Sequence, residues 1–439
     1  MRNSMIERMK GVLGDGLATA RRRGAEAAKI HFHQSEEIGC SFEAGRLKAA
    51  QTQQGASYTV TVLAGGKRGS ASGTDVADLD EIISRAVTLA KVGSASHFAA
   101  WPAPGQTTAV ERWSARTLGL TREQLIDGCR QVVDALKAYH ADLFIEAGGH
   151  RRESEGLLVT TGGVCHSSAA TGWSLGAWAQ RTEGTDMLFA GFGRSWRDLN
   201  ELYDPQAIID HTLEDLRHGE RTVGCPSGAC TAVLSPEMLE MLLWAVELGV
   251  NGRNVAKGDS PLRGRLGEKV LDESLTLIDD PHVAFAPGAA EIDADGVPAR
   301  KVGLFTNGVL DRFLYDLDSA GLAGAEPTGH DGCRPHYPAV LPGRRPAAEL
   351  IAGVADGIYL KQLLGFGQGN VINGDFSCNV ALGFRIRNGE IVGRVKNVMA
   401  AGNVYELLAA NVELSSDRDP VLRMPHAVVE GLHVAAAQE

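Results

Sequence analysis

Two Asn-Gly pairs constrain this chain more than any other feature. They sit in "VGLFTNGVLDRFLY" (302–315) and "LGFRIRNGEIVGRV" (382–395), each between runs that alternate apolar and polar residues. Asn-Gly accepts the left-handed backbone at both central positions of a tight hairpin turn, and the alternation gives each arm one face to bury. Both segments should fold back as antiparallel ribbons. The other strand-like and helical segments do not alternate strictly, which argues against a parallel βαβ sheet. The pattern predicts an α+β fold, two domains with mostly antiparallel sheets flanked by helices.

The Pro/Gly cluster "GCPSG" (224–228) divides the chain into an expected N-terminal α+β domain, 1–223, and a β-rich α+β domain, 224–439. The first opens with a helix over about 5–22, closed by Arg21-Arg22-Arg23 at the negative end of its dipole. Strand-like "KIHFHQ", "CSFEAGRLKAAQ" and "ASYTVTVLAG" follow. A helix is expected over 75–91 with Thr74 as its N-cap, then a linker at "WPAPGQTT". Thr121 to Gln124 fits a capping box opening a helix with Leu125, Cys129, Val132 and Leu136 inward. The stretch 142–193 reads as β-rich and 205–218 as helical. The second domain begins with the strand "CTAVLS", and Ser235-Pro236 supplies an N-cap and first-turn proline for the next helix.

The net charge of −11 speaks against a general nucleic-acid binder, because phosphate contacts need clustered Lys and Arg. No apolar run reaches the roughly 18–20 residues of a membrane span, and the charged segment 1–29 has no secretory apolar core, so a cytoplasmic protein is expected. The seven scattered cysteines, with no C-x-x-C pair, read as reduced and mostly buried thiols.

"GWSLG" (172–176) matches the hydrolase pattern G-x-S-x-G, but that motif needs a strand, a sharp turn and a helix. Alternation continues on both sides, so Ser174 reads as an outward strand residue. "GFGQGNVINGDFS" (365–377) leads into a hairpin rather than a helix, which disfavours a phosphate cradle. "IDADG" (292–296) lacks the full calcium-loop spacing and reads as a turn. His31 and His33 share a strand face, and Asp279, Asp280 and His282 fit a strand-end turn. His330 and His336 flank the loop "GHDGCRPHYP" and form the most suggestive histidine pair.

Several segments, in their order and spacing, resemble the TldD/PmbA family, and within it the PmbA (TldE-like) branch. They are "RGSASGTD" (68–75), "LGEKVLDESLTLIDDP" (266–281), "PTGHDG" (327–332), "GQGNVINGDFS" (367–377), "GFRIRNGEIVGRV" (383–395) and "AAGNVYELL" (400–408). The resemblance implies a paired, two-domain α+β chain. It also implies that TldD-like members are zinc peptidases carrying H-E-x-x-x-H on the helix corresponding to "LLWAVELGVNG" (242–252), with a further cysteine ligand near the C-terminus. Here that stretch has no His or Cys, no histidine lies between His218 and His282, and the last cysteine is Cys378. Glu247 alone would have no metal-bound water to activate.

The expectation is a non-catalytic PmbA-like subunit with no catalytic residues, metal site or cofactor of its own. Zinc belongs to a TldD-like partner, met as a heterodimer or replaced by a homodimer. The substrate is an unstructured peptide, with no direct nucleic-acid or membrane contact even though the family carries the older label modulator of DNA gyrase. Thr328, Gly329 and His330, with Asn373, Gly374, Asp375, Phe376 and Ser377, are the expected lining of a peptide groove. The alternatives are a stand-alone peptidase with an atypical metal site at His330 or His336, or a serine hydrolase using Ser174.

Overall fold

The computed structural model describes residues 2–436. Helix α1 (Arg2–Arg22) leads into a six-stranded antiparallel sheet of β1 (Ala27–Glu43), β2 (Arg46–Ala64), β3 (Lys67–Gly73), β4 (Phe144–Thr160), β5 (Cys165–Glu183) and β6 (Asp186–Trp196). The spatial order is β3-β2-β1-β4-β5-β6. The first two strand-like segments of the sequence are one strand and part of the next: β1 and β2 turn at Ala44-Gly45, both with positive φ. The end of β2 over 46–57 is mostly exposed, so no clean alternation marks it. β3 pairs with β2 only along Tyr58–Ala64, which leaves 46–57 bonded to β1 alone.

Helices α2 (Leu79–Ala90), α3 (Arg122–Tyr139) and α4 (Pro205–His218) cover the sheet. The Thr121–Gln124 capping box is present, and Leu125, Cys129, Val132 and Leu136 are buried as their spacing predicts. Thr74 is not the cap it was expected to be. Asp75 accepts from Ala77 N–H and opens a short 3₁₀ turn ahead of α2, because its carboxylate lies one residue closer to the unpaired amides.

In the second half, β7 (Gly228–Leu234) runs into α5 (Pro236–Val250), where Ser235 accepts from Met238 N–H and Pro236 takes the first turn. A small sheet holds β8 (Leu277–Asp279), β9 (Val302–Thr306), β10 (Val309–Leu310) and β11 (Pro338–Val340). The main sheet combines β7 with β12 (Asp356–Leu364), β13 (Asp375–Arg387), β14 (Glu390–Arg394), β15 (Val398–Asn403), β16 (Glu413–Arg418) and β17 (Pro425–Ala436). Both Asn-Gly turns form: Asn307-Gly308 and Asn388-Gly389 all have positive φ. The only parallel ladder between named strands is β7–β12; the rest are antiparallel, as the α+β reading expects. The two halves share packing, since Leu382 and Phe384 of β13 join the apolar cluster under α3 and α4.

Candidate functional site

A cavity of about 900 Å³ forms a cleft between the long-stranded sheet and the second half of the chain. The second half contributes Glu237, Glu240 and Met241 from α5, with Lys361, Gln362, Leu382, Val421 and Leu422.

Register explains the shape of the sheet's contribution. Ser41 opposes Gly148, Gly148 opposes Gly176, and Gly176 opposes Gly193. This row crosses strands roughly 4.8 Å apart and carries no side chain on its last three positions. A Cβ built on Gly148 or Gly193 would meet only neighbouring backbone within 4 Å. One flanking row holds Glu146, Trp178 and Gly191; the other holds Gly39, His150, Ser174 and Ser195. The result is a bare furrow running across the strands between Trp178 and the His150–Ser174 pair.

Two ion pairs brace the cleft between the halves. Lys361 Nζ meets Asp215 Oδ1 at 2.6 Å, and Arg194 meets Asp419 at 2.6 Å. Burial pushes the Asp215 carboxyl up from its ordinary pKa, against the opposing pull of Lys361. Glu237 and Glu240 face the same cavity, and burial, then Glu237 and Asp419, raise Glu240. Further along α5, burial raises Glu247 to about 7, helped by Glu240 and Asp279 and opposed by Arg334.

Ser174 lies in mid-strand, not on a strand-to-helix elbow. Its Oγ is 2.8 Å from His150 Nδ1, but its neighbours pair with β4 and β6 on both sides. A strand whose amides serve ladders lacks the free donors of an oxyanion hole.

The expected groove residues divide. His330 does not line a groove: it is fully buried, with Nε2 3.0 Å from Asp279 Oδ2 and Nδ1 2.9 Å from Thr328 Oγ1. Thr328 is also tied to Tyr315, whose N–H it accepts at 2.9 Å, and Gly329 O accepts from His336 Nε2 at 2.7 Å. The loop turns inward because Asp279, itself fully buried, needs donors; it also accepts from Tyr337 N–H at 2.6 Å. The second group sits at the start of β13. Asp375 and Ser377 are exposed, Gly374 and Phe376 are buried, and Asn403 donates to both Asn373 O and Asp375. None of the eight residues lines the large cleft. What sequence reasoning missed was the glycine row, His150, and Glu237 and Glu240 of α5.

The residues present do not fit a zinc ion on α5. The helix buries Leu242, Leu243, Ala245 and Val246, turns Trp244 outward, 42% exposed, and carries no histidine or cysteine. Both ring nitrogens of His330 are occupied, so His330 has none left for a metal, and Nε2 of His336 is held by Gly329 O. Among the described residues no three His, Cys, Asp or Glu side chains converge on a metal position. "IDADG" is a turn, with Gly296 at φ +87° and Asp293 capping Asp295 and Val297 N–H.

Comparison with known proteins places this cleft, between a long antiparallel sheet and a capped helix, in a family. Residues 227–436 match the PmbA/TldA metallopeptidase C-terminal domain, and residues 28–90 match domain 1 of the same family. The chain belongs to the PmbA/TldD family. It is 36% identical over 213 residues to a metalloprotease of Methanothermobacter thermautotrophicus, covering 45% of this chain and 46% of that one. The chain thus spans about half the length of the archaeal relatives it matches at this level. Metalloprotease PmbA of Escherichia coli O157:H7 aligns over 94% of this chain and 93% of its own, at 22% identity. The crystal structure of TldE from Thermococcus kodakarensis superposes with a TM-score of 0.87, at 22% identity, covering 97% of this chain and 100% of that one. A Thermotoga maritima protein named as a candidate modulator of a DNA gyrase gives 0.88 at 23% identity, covering 97% and 100%. Among the described residues no helix is long and apolar enough to cross a membrane.

Proposed function

We propose that this chain is a non-catalytic, PmbA-type subunit of the cytoplasm that holds unstructured peptide in its cleft and works beside a TldD-type zinc metallopeptidase. The observation that carries this reading is α5. It borders a cleft of about 900 Å³ with Glu237, Glu240 and Met241 and carries no histidine or cysteine. A peptidase scaffold that keeps the cavity and lacks metal ligands is suited to positioning rather than bond cleavage. The glycine row supports it, since an extended peptide can lie close to a floor without side chains. The metalloprotease names of the relatives supply the chemistry that the partner would contribute.

An exposed row of side chains supports a partner face here. Leu364, Asn379 and Met399 are register partners across β12, β13 and β15, and all three are exposed. Trp244 stands near this sheet beside Gly367.

The test is cleavage of an unstructured peptide by the purified chain with and without a TldD-type chain from the same organism. Cleavage is expected only in the mixture, and it should disappear when the glutamate of the partner's H-E-x-x-x-H is changed. Cleavage by this chain alone, retained after removal of contaminating proteases, refutes the proposal. One observation favours a second reading, a serine hydrolase: the 2.8 Å contact of Ser174 with His150 at the cleft wall. Labelling of Ser174 by a fluorophosphonate would put that reading first.

A further inference from the structure

Cys40 on β1 and Cys129 on α3 face each other with their sulfurs 3.7 Å apart, 89 residues apart in sequence. Both are free thiols, 8% and 0% exposed, inside the apolar cluster between sheet and helix. Cys40 also lines the cleft, and the peptide-holding role gives neither thiol a chemical task. We propose that this pair is an oxidation site, at which a peroxide converts the two thiols into a disulfide that fastens α3 to β1.

The surroundings make the two sulfurs unequal. The Cys129 thiol and the backbone N–H of Gly149 hold the Cys40 pKa below its ordinary value, and the partner sulfur and burial raise that of Cys129. Cys40 is thus the sulfur that reacts first, since the thiolate is the nucleophile. Its lone pair attacks one oxygen of hydrogen peroxide and breaks the O–O bond. Sulfenic acid forms at Cys40, and the displaced hydroxide takes up the thiol proton as water. The Cys129 sulfur then attacks the Cys40 sulfur. The S–O bond breaks, and hydroxide leaves with the Cys129 proton as a second water. Two thiols and one peroxide become one disulfide and two waters.

Geometry allows the closure. A disulfide needs an S–S distance of about 2.05 Å, so the sulfurs must approach by about 1.6 Å. Gly149 is the β4 register partner of Cys40, so no side chain stands beside Cys40 on that strand. Cys165 is exposed on β5 and serves as an internal measure of oxidant dose.

The full-length native protein is treated with hydrogen peroxide until Cys165 is oxidised. It is then unfolded, its remaining thiols are blocked with N-ethylmaleimide, and its peptides are mapped by mass spectrometry. The expected result is a linked peptide pair containing Cys40 and Cys129, about 2 Da lighter than the two thiol peptides and separated by dithiothreitol. In Cys129→Ser, Cys40 should instead retain a sulfenic acid trapped by dimedone. The inference is overturned if both thiols are blocked by maleimide at a dose that oxidises Cys165. It is equally overturned if Cys40 pairs with another cysteine or proceeds to sulfinic acid while Cys129 remains a thiol. The mapping uses the wild-type chain and reads no peptide cleavage, so it stands apart from the proposed function and from whether the variant folds.

Discussion

Lys361 of β12 and Asp215 of α4 meet at 2.6 Å, both nearly buried, and this contact ties the second half of the chain to the first. Removing one partner of a buried pair leaves an uncompensated charge, at a cost of roughly 3–5 kcal/mol. Lys361→Met should lower unfolding free energy by that order. The double variant Lys361→Met/Asp215→Leu should recover most of it, because the remaining charge is gone. Urea unfolding of the three variants measures both, and a double variant as unstable as the single one would contradict the assignment.

Glu247 sets a pH dependence. Its folded pKa of about 7 lies above the ordinary value of 4.5, so its stabilising contribution is complete in acid. That contribution fades as pH rises from about 4.5 to about 7, a loss on the order of 3 kcal/mol. Glu247→Gln removes the titration. Its Tm should exceed that of the wild type at pH 8, with the gap closing toward pH 4.5. A gap independent of pH would place the Glu247 titration elsewhere.

His330→Ala should act on stability rather than on any metal. It strips Asp279 Oδ2 of its donor and leaves a buried carboxylate oxygen unpaired, at a cost of about 2–4 kcal/mol. Elemental analysis should find the same zinc content before and after the change. A loss of bound zinc with unchanged stability would reverse the structural role given to this histidine.

Ser174→Ala removes one hydrogen bond from a half-buried strand position, so stability should change within about 1 kcal/mol. Peptide processing by the complex with a TldD-type chain should be unaffected. A large fall in that activity would mean that the hydroxyl touches substrate.

The proposed partner face predicts a dimer when the chain is made alone. Changing Met399 to Glu places a charge in the exposed row with Leu364. Light scattering should then report monomer, with the Tm of the isolated fold little changed. A wild-type monomer at micromolar concentration would remove this face from consideration.

The hairpins and caps were legible because each depends on a few adjacent residues. Asn388-Gly389 forms its turn wherever the ribbon lies, and Thr121 reaches Gln124 inside one helical turn. The site was not legible for the opposite reason. Gly148, Gly176 and Gly193 share a row only after three strands have paired, and their spacing in sequence carries no trace of it. His330 misled because a Gly/Pro-rich loop suggests exposure. Its partner Asp279, 51 residues earlier, draws it into the core. Family resemblance reached the right scaffold but placed the expected groove on loops outside the large cleft.

The unshared length of β2 has a consequence for the chain's behaviour in a crowded cell. Over 46–57 one row of peptide groups lacks a neighbouring strand, which is the template on which amyloid-like stacking begins. The stretch reads "RLKAAQTQQGAS", with two cations, three glutamines and Leu47 as its one large apolar residue. Charge and hydration there discourage an identical ribbon from docking, while the backbone stays available to a visitor bringing its own apolar or acidic side chains. Exchanging the glutamines for valine would turn a guarded margin into a seed for fibres.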